Sequence, residues 1–194
     1  MSESGSIIIS FFQNLPAFLI ALVVHEYAHG FVAHKLGDNT AKQMGRLTLN
    51  PLAHVDMFGT IFLPLFLIIS GSPFVFGWAK PVPVNFYNLT NPKKDMIWVG
   101  LAGPAANFLT ALIVFLILVT GIAKNVILAE FLVKVLIISI FLGGFNLIPI
   151  PPLDGSRILM GLLPMKLARA YSRITPGAGM VLLIILLSLL RRYF

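Results

Sequence analysis

Residues 7–34 read IIISFFQNLPAFLIALVVHEYAHGFVAH. From Ile7 to Val24 the stretch is apolar apart from a few small or amide residues. With the residues that follow, it reaches the roughly 20 residues that a bilayer helix needs. Pro16 lies inside it, which membrane helices tolerate. At its far end stand His25, Glu26 and His29. A membrane-type helix that carries three ionisable groups at one depth sets the class: an all-α polytopic membrane protein.

The rest of the chain agrees. Of 194 residues, 58% are hydrophobic and 11% are charged, against about a quarter charged in soluble domains. The mean hydropathy is +0.93. The net charge of +7 comes from basic residues in short loops between apolar runs. That pattern sets membrane topology and favours anionic lipid, and it argues against nucleic acid as a partner. There is no cysteine, which excludes disulfides, thiolate ligands and a Cys nucleophile. Residues 1–6 lack the basic region of a cleavable signal, so the first apolar run is expected to be retained. The expectation is a single membrane-embedded unit over residues 1–194, with no room for a separate soluble domain.

Further along, 35–56 is polar and rich in turn residues. Met57–Phe76 is apolar but broken by Pro64, Gly71 and Pro73, a short span or a re-entrant segment. Gly77–Pro92 contains Pro81 and Pro83, which forbid a helix and leave extended structure. Asp95–Gly121 and Val126–Phe145 are two further spans. Pro149, Pro151 and Pro152 end regular helix after Asn146. Ser156–Ile174 mixes apolar and basic residues as an interfacial helix does. Gly177–Tyr193 is a last short span.

His25 and His29 lie about 40° apart on one helix face, one turn along. Both imidazoles can reach one metal ion, and Glu26 projects between them in angle. This is the His-Glu-x-x-His arrangement of zinc hydrolysis. Placing these groups together in a membrane helix costs at least a few kcal/mol each without a compensating partner. A divalent cation is the natural one. His34 falls about half a turn away in angle and reads as an interfacial residue.

A third protein ligand is needed. Of seven acidic residues, only Asp154 follows an apolar helix through a proline-broken stretch. Irregular backbone at that depth must be buried or line a wet cavity. The competing reading of Asp154 is an N-cap for the next helix. His54 is open between a ligand, a gate, a hydrogen-bonding neighbour of the site and a plain loop histidine. Asn107 and Asn146 are amides in or beside apolar helices, either holding substrate backbone or joining helices.

Topology supports the same grouping. Two spans separate the first helix from Asp154, which returns the chain to the histidines' side if 57–76 crosses twice or not at all. The loops then facing that side hold Lys35, Arg46, Lys80, Lys93 and Arg157 among others, against few basic residues opposite, as the positive-inside tendency requires.

With HEYAH at 25–29, GPAAN at 103–107 and FNLIPIPPLDG at 145–155 on the page, the chain resembles the site-2 protease family of intramembrane metalloproteases. The motifs span most of the chain. The resemblance implies a three-helix catalytic core plus short or re-entrant segments and an extended Pro-containing loop. It implies one Zn2+ held by His25, His29 and Asp154, with Glu26 as the catalytic glutamate. Asn107 and Asn146 match asparagines implicated in holding substrate. NPLAH at 50–54 and FGWAKPVPVN at 76–85 look like a compact prokaryotic branch without PDZ or CBS domains. The expected partners are the lipid bilayer and a membrane-protein substrate, with the site near the cytoplasmic face of a prokaryotic cell membrane. Trp78–Asn85 is placed to pair with unwound substrate as an added strand. Rival readings are a divalent-metal transporter and a non-catalytic scaffold. Oligomeric state has no signature in the sequence.

Overall fold

A computed structural model describes residues 3–72 and 77–191. Among them there are helices and connecting segments but no strand. Three helices are long and apolar enough to cross a membrane. They are α1 (Glu3–Lys35), α4 (Pro92–Val119) and α5 (Val126–Asn146). Between and after them run α2 (Thr40–Gln43), α3 (Leu63–Ile69), α6 (Asp154–Leu162), α7 (Met165–Tyr171) and α8 (Pro176–Arg191).

The boundaries follow from local chemistry. Pro92 opens α4, where its missing N–H costs nothing. Asn125 caps α5 by accepting the Leu128 N–H at 3.1 Å. Helix α5 stops at Asn146, three residues before Pro149. α4 is the central element and packs on α1, α5 and α6. Small residues permit the close approach. A side chain on Gly143 of α5 would meet Pro104 O at 3.2 Å, and one on Gly100 of α4 would meet Asp154 O at 3.2 Å. Ala17, Val114 and Val135 join α1, α4 and α5 in one buried cluster. Outside it, Leu112, Phe115, Leu116 and Ile140 are exposed, each half or so. Large apolar side chains facing outward on largely apolar helices suit lipid as solvent, not water. This is an integral membrane protein, with the three-helix core expected from the sequence.

Details differ from the sequence reading. α4 begins at Pro92, three residues earlier than expected. The interfacial helix is two pieces, α6 and α7, because Pro164 cannot continue α6. Met57–Phe62 winds as a π-helix and passes into α3, giving thirteen helical residues. Residues 73–76 of the broken apolar segment, and 192–193 at the end of the last span, lie outside the described residues, as does Arg192. Thr40–Gln43 and the single turns Pro51–Ala53 and Phe86–Asn88 interrupt stretches expected to be irregular.

Residues 78–85 form an extended strap across the end of α1. The alternating Trp78, Lys80 and Val82 N–H groups are engaged, and so is that of Asn85 beyond Pro83. Trp78 donates to Gly59 O at 3.1 Å, Lys80 to His54 O at 3.0 Å, Val82 to Glu26 Oε2 at 2.7 Å and Asn85 to Asp38 Oδ2 at 2.7 Å. Thr60 Oγ1 donates to Trp78 O, and Arg46 Nη2 donates to Lys80 O and Pro81 O. Pro81 and Pro83 bring no N–H, so between Trp78 and Asn85 the opposite edge keeps Ala79 as its donor.

Candidate metal centre

Three atoms converge where α1, α4 and α6 meet. His25 Nε2 lies 3.0 Å from Asp154 Oδ2, His29 Nε2 lies 3.1 Å from it, and the two Nε2 atoms are 3.0 Å apart. All three residues are buried, at 4%, 3% and 5% exposure. Among the described residues this is the group able to hold a metal ion. Tetrahedral zinc with bonds of about 2.0–2.1 Å sets its ligand atoms roughly 3.3 Å apart. The residues present fit such an ion with an outward movement of a few tenths of an ångström.

Each side chain is turned inward by a named contact. His29 Nδ1 donates to Val99 O at 2.6 Å, which leaves the Nε2 lone pair facing the centre. His25 Nδ1 lies 3.1 Å from the Asn107 amide nitrogen, and Asn107 is fully buried. Asn107 Oδ1 is buried without a hydrogen-bond partner. When His25 offers its Nε2 lone pair to a metal, its Nδ1 carries the proton, and rotation of the amide brings Oδ1 to accept it. Arg157 Nη1 donates to Asp154 Oδ1 at 2.9 Å, so Oδ2 is the oxygen left for the centre. Burial opposes the charge on Asp154. When protons on the two Nε2 atoms take the place of a metal, the hydrogen bonds from His25 and His29 and the Arg157 charge outweigh it and hold the carboxyl well below the usual carboxylate range.

Gly103 completes the site by having no side chain. A Cβ there would fall 2.6 Å from His25 Nε2 and closer still to His29 Nε2. Gly155 likewise lets the chain pass against Leu147 O and Ile148 O, delivering Asp154.

The sequence candidates separate into four places. His25, His29 and Asp154 come together, and Asp154 does not cap α6 with its side chain. Glu26 is partly exposed in a cleft of about 970 Å³ that opens beside the triad. Asn146 lines the same cleft and donates to Leu142 O of its own helix at 3.0 Å. Asn107 stands behind His25, away from the cleft. His54 is apart from all of them. It is fully buried, its Nε2 donates to Thr48 O at 2.8 Å, and its carbonyl holds the strap. Arg157, Gly103, Val99 O and the Val82 N–H were not among the sequence candidates. Of these, Gly103 and Val82 stood in quoted motifs, and only Arg157, one turn after Asp154, carried a chemical signal.

A buried His-His-Asp triad at the end of three membrane helices, with a glutamate beside it, defines a membrane-embedded zinc metalloprotease. The chain belongs to peptidase family M50, the site-2 protease family: that family's profile matches residues 14–126 and 119–189. "Putative zinc metalloprotease YwhC" of Bacillus subtilis is 41% identical over 162 residues, 77% of this chain and 70% of that protein. "Putative zinc metalloprotease Rip2" of Mycolicibacterium smegmatis is 29% identical over 191 residues, 95% of this chain and 70% of that protein. "Zinc metalloprotease MJ0392" of Methanocaldococcus jannaschii is 29% identical over 169 residues, 87% of this chain and 40% of that protein. No solved structure gives a significant match. The protein is a zinc-dependent protease, and its cofactor is zinc.

Proposed function

We propose that the protein hydrolyses peptide bonds of transmembrane or membrane-proximal segments, using His25, His29 and Asp154 as zinc ligands and Glu26 as general base. The observation that carries the reading is the convergence of His25 Nε2, His29 Nε2 and Asp154 Oδ2 within 3.1 Å of one another, beside a cleft that Glu26 faces. When bound, zinc supplies Lewis acidity toward the scissile carbonyl and the attacking water. Glu26 accepts the water's proton and returns it to the leaving amine. The Val82 N–H holds one oxygen of that carboxylate and fixes its orientation. Residues 1–194 act in this as one unit.

A substrate helix must unwind before cleavage, because its peptide bonds are shielded within the helical ladder. The strap's edge at Ala79, on the cleft wall, suits pairing with the unwound segment. Basic residues concentrate in the loops at the end of the molecule that holds the triad, which supports a site near the cytoplasmic face of a prokaryotic cell membrane.

The test is cleavage of single-span membrane proteins by the purified chain. Glu26→Gln should keep about one zinc per chain and lose cleavage, and a chelator should abolish wild-type cleavage. Full cleavage by Glu26→Gln would remove the general-base assignment. Transport of a metal by both forms, with no proteolysis by either, would favour the transporter reading instead.

A further inference from the structure

The cleft beside Glu26 does not end at the metal centre. It continues between α1 and α5 to Asn14 on one wall and Lys134 on the other. Asn14 lies eleven residues before His25, and Lys134 twelve before Asn146. At 1.5 Å per residue both sit about 18 Å from the hydrolytic end, at matching depth on two parallel helices. Between the ends the walls are apolar: Leu15, Phe18, Ile137, Ile138 and Phe141.

Lys134 has no place in the chemistry so far described. It is the only Lys or Arg in α1, α4 or α5 that lies beyond the first or last turn of its helix. A cation there, about 12 Å into α5, is costly in a bilayer and marks function more often than packing. Its side chain is partly buried and lines the cleft. Among the described residues it makes no ion pair or hydrogen bond. Glu130, one turn earlier on the same helix, is exposed and forms no ion pair with it. The cleft therefore presents an unpaired positive charge at one end and hydrolysis at the other, joined by an apolar trough.

We propose that Lys134 reads a carboxylate on the substrate. The occupant is a transmembrane helix of the protein being cut. It carries an Asp or Glu about 7 to 12 residues from the scissile bond on the side away from the metal centre. The lower figure applies if about four residues near the cut are extended at 3.3 Å each, the upper if the segment stays helical. In a low-dielectric trough an acidic side chain gains a partner at Lys134 that lipid cannot offer, so the pair both selects the substrate and sets its register. The inference rests on the membrane-protease reading above.

The test uses the purified zinc-loaded protein in lipid nanodiscs with a single-span substrate. One residue, Asp, Asn or Lys in turn, is moved along its membrane segment. The wild type should cut the Asp form faster than the Asn form by roughly tenfold within one window of positions. Lys134→Glu should reverse the order and favour the Lys form in that window, with zinc content and elution profile unchanged. A flat wild-type profile, or an Asp preference that persists in Lys134→Glu, overturns the inference while the protease reading stands. Cleavage of no substrate at any position, with zinc present, overturns both.

Discussion

Arg157 Nη1 donates to Asp154 Oδ1 at 2.9 Å, and the other oxygen of the same carboxylate faces both imidazoles. The two residues are one turn apart on α6, so the orientation of the third proposed metal ligand is fixed by its own helix. Arg157→Gln frees Asp154 to rotate and removes a compensating charge. Loss of such a supporting contact lowers metal affinity by about 10- to 100-fold. Competition with a chelator of known affinity measures it. An unchanged zinc affinity would show that the packing of Gly155 alone holds the carboxylate in place.

The absence of a side chain at Gly103 is as necessary as the presence of the histidines. Gly103→Ala puts a methyl group against both Nε2 atoms. The expected result is loss of stoichiometric zinc. Gly144→Ala on α5 is the control, because nothing lies within 4 Å of a Cβ there. That substitution should keep zinc and be neutral or stabilising by up to about 1 kcal/mol, the helix propensity difference. Metal analysis of the two purified variants separates them.

These two cases mark the boundary of what the residues alone disclose. The His25–His29 spacing is a property of any helix, so one turn of periodicity found both. Asp154 emerged because few acidic residues compete and prolines forbid helix around it. Pro164 carried an equally plain signal, and α6 and α7 divide there. By contrast, Val99 O and the Val82 N–H belong to the backbone, which leaves no residue-type signature. Arg157 looked like one of several basic residues of an interfacial helix until Asp154 was placed beside it. His54 and Asn107 each offered several roles, and only tertiary packing separates a strap-holding residue from one that buttresses His25.

Asp38 ties the strap to the end of α1. It is fully buried and accepts from the Thr40 hydroxyl and N–H, the Asn88 amide and the Asn85 N–H. Burial raises its pKa, but these donors outweigh it and lower the value below the ordinary 3.8. A depressed carboxylate contributes stability above its unfolded pKa and loses it as pH falls through the folded one. Asp38→Asn should therefore lower thermal stability at neutral pH by about 1–3 kcal/mol, the cost of poorly satisfied buried donors. The gap between wild type and variant should close as pH falls from 5 toward 3. A gap independent of pH would mean that shape, not charge, makes the contact.

Among the described residues, the Val82 N–H is the one donor that reaches Glu26, at 2.7 Å. Because it belongs to the backbone, only proline removes it, and Val82 lies between two prolines whose extended geometry already suits a third. Val82→Pro should retain zinc, since among the described residues His25, His29 and Asp154 make no hydrogen bond to the strap. It should leave one carboxylate oxygen of Glu26 unheld. Hydrogen bonds to charged groups contribute about 1.5–3 kcal/mol, which corresponds to a fall of roughly 10- to 100-fold in kcat if the bond persists during proton transfer. Val82→Ala keeps the N–H and trims only packing against Gly30, so it separates the two causes. Equal losses in both variants would assign the effect to side-chain packing. A proline variant as active as the alanine one would mean that Glu26 leaves the strap before it takes its proton.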